Sequence, residues 1–285
     1  MDIGPLRDAV TVVIGLATGL LSGVFGVGGG VISQPGMRLL GLEPLAVIGT
    51  ALPVIVPGAA SGAWRYARED LIRWPAVAAT VPAGALAAVV GSVAADHVPG
   101  EGHLLQLLTA ALLGLSAYRM GTAPGPATAV AAAGEPLAET DAPEAPDAAL
   151  TPTVPPLADE GIPVPRCIGI GVVAGLLSGL LGIGGGVIMV PAFIALAQLE
   201  VKPAIATSLV CVGAFAVPGT ITHALQGQVD WRVVGALVVG VVPGARLGAA
   251  VAIRAADRRL RVVVGSFLGV TALLYALGEI RSLVS

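Results

Sequence analysis

The chain has 285 residues, of which 55% are hydrophobic and 12% are charged, and its formal net charge is −3. A soluble domain of average composition carries about 25% charged residues, so too few are present here to cover the surface of a water-soluble globule. The sequence also lacks a basic cluster or an RNA-binding motif, which excludes nucleic acid as a partner. We therefore expect an all-α, polytopic membrane protein.

Ten apolar segments follow one another along the chain. They span 9–25, 31–42, 45–63, 75–95 and 104–120 in the first half, and 167–181, 187–199, 204–222, 233–253 and 260–278 in the second. Several approach the roughly 20 residues that a helix needs to cross the hydrocarbon core. The second segment of each half is too short for a full span, which predicts a half-helix or a re-entrant piece.

The two halves are copies of each other. Residues 19–32 read GLLSGVFGVGGGVI, and residues 175–188 read GLLSGLLGIGGGVI, an offset of 156. At an offset of 157, three further residues match, namely Thr50, Trp74 and Tyr118 with Thr207, Trp231 and Tyr275. Unrelated membrane helices share a composition but not such a register, so we infer an internal duplication, with a first membrane repeat over 1–120 and a second over 166–285.

The residues between the repeats have a different composition. Residues 121–165 hold ten of the 22 prolines, seven acidic residues and neither Lys nor Arg. Such a segment cannot bury enough apolar area to offset the entropy of ordering it, which predicts a disordered spacer.

Arginine-rich loops indicate how the repeats are oriented. In the first repeat, the loop after the third segment carries Arg65, Arg68 and Arg73. In the second repeat, the loop after the fourth segment carries Arg254, Arg258, Arg259 and Arg261. Under the positive-inside rule both loops are cytoplasmic, so equivalent loops of the two repeats face opposite sides. This pattern is typical of the inverted repeats of secondary transporters and places both termini outside. If each short segment continued its predecessor as one crossing, the repeats would instead be parallel.

Glycine recurs every four residues on the helix before each short segment. These residues are Gly15, Gly19, Gly23, Gly171, Gly175 and Gly179. On a helix they form a strip that another backbone can approach closely, so packing alone explains them.

A second set of glycines interrupts the helices. They are Gly26, Gly28, Gly29 and Gly30, with Gly182, Gly184, Gly185 and Gly186. Each disfavours helix by up to about 1 kcal/mol relative to Ala, and a break in a bilayer must lie in protein or a wet cavity. The following short helices would direct backbone N–H groups and positive dipole ends at a shared site near the midplane, which favours an oxyanion. The alternative is that the glycines only let the chain turn and pack.

Seven polar side chains could complete this site. They are Ser22, Gln34, Thr50, Ser178, Thr207, Ser208 and Arg246. The hydroxyls have structural alternatives, a bond to their own helix or to a neighbouring one. Arg246 could attract an anion or extend toward the cytoplasmic surface. His223 could titrate near neutral pH, although an interfacial histidine is more often simply solvated.

The paired motif LLSG-x2-G-[VI]-GGGV, followed by Pro35 and Pro191, resembles the TauE/SafE family of sulfite exporters, also called the toluene-sulfonate uptake permease family. The resemblance covers the chain except for the spacer, which is longer and richer in proline than this family leads us to expect. It implies membrane transport of small sulfur oxyanions or organosulfonates. The sequence Gln34-Pro35-Gly36 stands where the second repeat has Val190-Pro191-Ala192, so the half-sites need not be equivalent.

We therefore predict a multi-pass carrier of the cell membrane that exports sulfite or an organosulfonate by rocking one copy against the other. Its expected partners are the small anion and the lipid bilayer, and self-association into a homo-oligomer stays open. No nucleotide motif or cluster of metal ligands is visible, so neither cofactor nor metal nor catalytic residue is expected. The alternatives are a passive anion channel, a transporter of another small organic anion, an intramembrane enzyme and a scaffold that binds a partner through its spacer.

Overall fold

A computed structural model describes residues 4–95, 97, 107–108, 110–111, 114–118 and 163–284. The predicted spacer lies outside the described residues except for its last three. The predicted segment 104–120 is described in part, and those residues are helical. The repeat boundaries at 120 and 166 stay predictions.

Helices form the described part of the chain, and it contains no strand. The first half has α1 (Gly4–Phe25), α2 (Gly30–Leu39), α3 (Pro44–Ala67) and α4 (Trp74–Ala95). The second half has α5 (Val164–Leu181), α6 (Gly186–Leu196), α7 (Val201–Leu225), α8 (Trp231–Arg254) and α9 (Asp257–Val284). Six of them, α1, α3, α4, α5, α7 and α8, are long and apolar enough to cross a membrane. The prediction of an all-α, polytopic membrane protein is confirmed.

The long helices extend beyond the predicted apolar segments because polar residues continue the helical hydrogen bonds at their ends. Helix α7 includes Lys202 and His223, which lie outside the predicted segment 204–222. Helix α8 begins where Asp230 accepts hydrogen bonds from the backbone N–H groups of Arg232 and Val233, the usual role of an N-cap aspartate. Hydropathy alone therefore placed these ends too far inward.

The predicted glycine strips bring two pairs of long helices into backbone contact. A Cβ atom at any strip residue of α1 would overlap the backbone of α8, and one at any strip residue of α5 would overlap the backbone of α4. Lipid tails are as apolar as leucine, so helices in a bilayer associate largely through such close packing. Each pair, α1–α8 and α4–α5, joins one helix of the first half to one of the second.

The two halves are therefore packed into each other through these pairs, and the expectation that one copy rocks against the other stays a prediction. The facing residues also give the helix directions. Residues 15–23 of α1 face 237–245 of α8 in the same order, and residues 171–179 of α5 face 80–88 of α4 in the same order. Both pairs are therefore parallel.

Helices α3 and α7, which are equivalent in the duplication, run antiparallel through the centre. A Cβ atom at Gly62 of α3 would lie 2.7 Å from Leu209, and one at Gly219 of α7 would lie 3.1 Å from Leu52. Residues 58–62 of α3 face 241–245 of α8 in the same order, so α1, α3 and α8 share one direction. Their equivalents α5, α7 and α4 share the opposite one. The orientation of the halves in a bilayer stays a prediction.

The two short helices return toward the side on which the preceding long helix begins. The guanidinium of Arg7, near the start of α1, donates to the carbonyl oxygen of Leu40 at the end of α2 at 3.1 Å. Arg166, near the start of α5, donates to the carbonyl oxygen of Leu196 at the end of α6, also at 3.1 Å. Each short helix is thus the second arm of a re-entrant hairpin, which confirms that it is not a full span.

We expect Gly175→Ala to destabilise the protein because its Cβ atom would overlap the carbonyl oxygen of Gly84. Overpacking of this kind costs about 1–3 kcal/mol. Gly169→Ala is the matched control on the same helix, since a Cβ atom there meets nothing within 4 Å. Thermal unfolding of the detergent-purified variants measures the difference. Equal midpoints for the two variants would show that the α4–α5 backbone contact does not stabilise the fold.

Candidate functional site

The two glycine breaks lie directly against each other. A Cβ atom at Gly30, the first residue of α2, would lie 2.5 Å from the carbonyl oxygen of Gly182 and 2.7 Å from Cα of Ile183. In the equivalent contact, a Cβ atom at Gly186, the first residue of α6, would overlap the carbonyl oxygen of Gly26. All eight glycines of the breaks are buried. The break of each half therefore packs on the start of the other half's short helix.

Backbone conformation explains why glycine occupies these positions. Six of the eight have φ between 66° and 82°, in the left-handed region: Gly26, Gly28, Gly29, Gly182, Gly184 and Gly185. An L-residue with a side chain rarely adopts this region, whereas glycine does so readily. The helices are interrupted between Phe25 and Gly30 and between Leu181 and Gly186, as predicted.

The breaks meet midway along the two central helices. A Cβ atom at Gly28 or at Gly184 would contact both Val212 and Ile55. Val212 and Ile55 lie near the middle of α7 and α3. The meeting point is therefore equally far from both ends of the helices that run through the centre.

Two side chains bond to the carbonyl groups that the breaks leave unpaired. The side-chain amide of Gln34 donates to the carbonyl oxygen of Leu181 at 2.7 Å, and the hydroxyl of Ser208 donates to the carbonyl oxygen of Gly26 at 3.0 Å. Helix ends carry carbonyl groups with no partner in the helix. Each bond joins the two halves, so Gln34 and Ser208 stabilise the breaks, and their role as substrate contacts stays a prediction.

Two buried hydroxyls next to the breaks have no hydrogen-bond partner among the described residues. They belong to Ser178, which is fully buried, and to Thr18, which is 1% exposed. A Cβ atom at Gly29 would lie 2.9 Å from Thr18 and 3.8 Å from the hydroxyl oxygen of Ser22. The bond to its own helix that was the alternative for Ser178 is not formed. Thr18 was missed by the sequence argument, although it lies one turn before Ser22 on the same face.

Thr50 and Thr207 bond to the turns of the opposite half. Thr50 accepts a hydrogen bond from the backbone N–H of Asp230, and Thr207 accepts one from that of Arg73, both at 3.0 Å. These amides precede α8 and α4. Both threonines therefore bond to backbone just before a helix of the other half, and their role as substrate contacts stays a prediction.

Arg246 lies at the end of the molecule that carries the arginine-rich loops. Its side chain is exposed, and the guanidinium carbon stands 4.8 Å from the centroid of the Trp64 ring. Arg68 is stacked on the same ring at 4.3 Å. This cation–π arrangement fits the alternative that Arg246 extends toward the surface, and the structure does not bring its guanidinium to the breaks.

The arrangement at the breaks can attract an anion without a charged side chain. Helices α2 and α6 begin there, and the start of a helix carries a partial positive charge and N–H groups that lack a partner within the helix. The hydroxyls of Thr18 and Ser178 add donors. Among the described residues, no group of three or more His, Cys, Asp or Glu could hold a metal ion.

One pair of equivalent residues was not recognised in the sequence. Tyr66 donates its hydroxyl to the carbonyl oxygen of Gly23 at 2.7 Å, and His223 contacts the carbonyl oxygen of Gly179 through Nε2 at 3.3 Å. Both carbonyls lie in the last turn of the helix before a break. The offset of 157 that aligns the third segments relates Tyr66 to His223 and was the signal that could have found the pair.

We expect Ser208→Ala to lower stability because it removes the donor to the carbonyl of Gly26 at the contact between the halves. A buried polar group left without its partner costs about 1–3 kcal/mol. Thr222→Val is the control on the same helix, since the Thr222 hydroxyl bonds to the carbonyl of Pro218 in its own helix, one turn earlier. A smaller loss of the thermal midpoint for Ser208→Ala than for Thr222→Val would contradict this role.

Comparison with known proteins places the chain in a family. The family model for the sulfite exporter TauE/SafE matches residues 11–275. A probable membrane transporter protein of Xylella fastidiosa (strain 9a5c) is 28% identical over 252 residues, which cover 86% of this chain and 85% of that protein. The probable membrane transporter protein YunE of Bacillus subtilis (strain 168) is 43% identical over 84 residues, which cover 30% of this chain and 31% of YunE.

A third relative is longer than this chain. The probable membrane transporter protein MamO of Paramagnetospirillum magneticum is 31% identical over 265 residues, which cover 85% of this chain and 40% of MamO. No solved structure matches. The family match spans nearly the whole chain and includes both glycine breaks, so the protein belongs to the TauE/SafE sulfite exporter family and is a multi-pass membrane transporter.

Proposed function

We propose that this transporter moves a small sulfur-containing oxyanion, sulfite or an organosulfonate, out of the cell across the cell membrane. The observation that carries the proposal is the buried contact between the two glycine breaks, which pack against the middle of α3 and α7. The anion would bind there when the breaks separate, and access would alternate between the two sides. On this proposal the protein is not an enzyme, since its chemistry is binding and release.

The donors at the breaks support an oxyanion as the substrate. The starts of α2 and α6 supply two positive dipole ends, and helix starts are common anion sites in proteins. The unpartnered hydroxyls of Thr18 and Ser178 suit an acceptor with several oxygen atoms. A sulfonate or sulfite presents three oxygens around one sulfur, which is small enough for a site made largely of glycine.

The helix directions support alternating access. Helices α1, α3 and α8 run opposite to their equivalents α5, α7 and α4, and these directions support an inverted repeat with its axis in the membrane plane. The ends of α2 and α6 are held at opposite sides of the molecule by Arg7 and Arg166. Since α1 is packed on α8 and α4 on α5, the moving bodies we propose are these mixed pairs rather than the two copies.

The membrane potential supports export. A divalent anion that leaves a cell with an interior-negative potential gains roughly 2 × 2.3 kcal/mol per 100 mV. The potential therefore favours export of a divalent anion such as sulfite without a coupling ion and opposes its uptake. The end that carries Arg65, Arg68 and Arg246 would face the cytoplasm under the positive-inside rule.

Proteoliposomes of the purified protein should take up labelled sulfite. Gly30→Ala and Gly186→Ala should each lower the flux at least about tenfold, the effect of about 1.4 kcal/mol, because each added Cβ atom displaces the opposite break. Gly235→Ala is the control, since a Cβ atom there meets nothing within 4 Å. The flux of four anions is compared: sulfite, sulfate, thiosulfate and an alkyl sulfonate.

Counterflow distinguishes the carrier from a passive anion channel. Vesicles loaded with unlabelled anion should accumulate the labelled anion transiently if the site alternates, and a channel would not do this. The substrate proposal is wrong if none of the sulfur oxyanions moves. The breaks are not the site if Gly30→Ala and Gly186→Ala transport as well as Gly235→Ala.

A further inference from the structure

Two arginines of different helices are stacked on one exposed tryptophan. Trp64 lies in the last turn of α3 and is 47% exposed. The guanidinium carbon of Arg68, the residue that follows α3, is 4.3 Å from the centroid of the ring, and that of Arg246 in α8 is 4.8 Å from the same centroid. Both arginines are exposed. Two positive charges are therefore held beside each other on the outer surface of the protein.

The packing of α3 on α8 fixes this arrangement. The hydroxyl of Ser61 donates to the carbonyl oxygen of Val242 at 2.8 Å, one turn before Trp64 on α3 and one turn before Arg246 on α8. The two helices run in the same direction, so the tryptophan and the arginine are at the same level. The site is thus built on two packed helices rather than on a loop.

No acidic side chain neutralises the two arginines within the described part of the chain. Neither Arg68 nor Arg246 takes part in an ion pair there. Glu69, which follows Arg68 in the sequence, is 2.7 Å from the guanidinium of Arg65. Asp70 lies in the turn beyond the helix and pairs with neither arginine. The tryptophan ring attracts both cations, but it does not cancel their charge.

The site lies near the ends of two membrane-spanning helices. Trp64 is three residues before the end of α3. Arg246 is eight residues before the end of α8, which corresponds to about 12 Å along the helix. Tryptophan is enriched at the boundary between the hydrocarbon and the headgroups, and an arginine below that boundary extends its side chain toward the headgroups. An anion bound here would therefore be in the headgroup layer.

Apolar side chains surround Arg246 on the exposed face of α8. Val239, Pro243, Leu247 and Val251 are all exposed. Spacings of three and four residues put them on one face of the helix with the arginine. A free inorganic anion gains nothing from such neighbours, whereas a lipid can cover them with its acyl chains while its headgroup reaches the guanidinium. The surroundings therefore favour a ligand that is anionic at one end and apolar at the other.

The central helix α3 reaches the surface at this site. Among residues 45–67, the exposed ones are Ala60, Trp64 and Ala67. Two of these are alanines, so the tryptophan is the large side chain that α3 presents to the surroundings. A ligand bound by Arg68 and Arg246 together would connect this central helix to α8.

We infer that the site formed by Trp64, Arg68 and Arg246 binds the phosphate headgroup of an anionic phospholipid. A planar guanidinium group donates two parallel hydrogen bonds to phosphate oxygens, and two such groups suit a headgroup with a net negative charge. Under the positive-inside rule this end faces the cytoplasm, and the cytoplasmic leaflet contains anionic lipids. The bound lipid holds α3 and α8 together from outside, whichever anion the protein transports.

The test compares phosphatidylglycerol, which is anionic, with phosphatidylcholine of the same acyl chains, which has no net charge. Native mass spectrometry of the detergent-purified full chain measures the binding of each lipid, and the wild-type protein should bind phosphatidylglycerol more tightly. Arg68→Gln and Arg246→Gln should each weaken this binding at least about fivefold, the effect of about 1 kcal/mol for each arginine. Arg65→Gln is the control, since it removes the same charge from the same end but from an arginine already paired with Glu69.

Tryptophan fluorescence locates the bound lipid. The chain has three tryptophans, so Trp74→Phe combined with Trp231→Phe leaves Trp64 as the single fluorophore of this kind. Phosphatidylglycerol with brominated chains should quench it at a lower mole fraction than brominated phosphatidylcholine does. Adding Arg68→Gln and Arg246→Gln to this protein should remove the difference between the two lipids.

Four results would overturn the inference. Equal affinity of the wild-type protein for the two lipids shows that no negative headgroup is selected, and this measurement needs no variant. An equal loss in Arg65→Gln shows an effect of overall surface charge. Displacement of phosphatidylglycerol by inorganic phosphate or sulfite at the same concentration identifies a site for a free anion. A dimer that is lost in Arg68→Gln and Arg246→Gln identifies an interface between copies of this chain. The proposed function is tested separately, by sulfite flux.

Discussion

The structure depends on one constraint, that a backbone polar group surrounded by hydrocarbon must find its partner within the protein. Two broken helices in one chain leave carbonyl and N–H groups that no helical bond satisfies. Each half supplies what the other lacks: Ser208 bonds to Gly26 and Gln34 bonds to Leu181. Because the breaks are completed across the halves, neither repeat has a finished site alone.

Glycine has two distinct structural roles in meeting this constraint. In the strips of α1 and α5 it lets backbones touch, and the helical conformation there is ordinary. In the breaks it adopts the left-handed region that other residues avoid, as at Gly29 and Gly185. The strips pair α1 with α8 and α4 with α5, so each of these packed pairs contains one helix from each repeat. The two repeats are therefore not separate units in the folded protein.

The two repeats carry different side chains at equivalent positions near the breaks. In the duplication, Gln34 is equivalent to Val190, and Tyr66 is equivalent to His223. Packing and helix direction tolerate these differences because the backbone contacts are made by glycine. A duplicated frame can thus carry different side chains at equivalent positions.

The sequence by itself determined the helical class, the duplication, the positions of the breaks and the short helices, because hydropathy, repeated motifs and glycine runs are local properties. Only the tertiary structure decided which helices pair and in which direction, because contacts such as that of Gly15 with α8 join residues that are far apart in the chain. It also decided that Thr50 and Thr207 hold turns and that Arg246 is stacked on Trp64, since a hydroxyl or a guanidinium has several satisfactory partners and only the fold selects one.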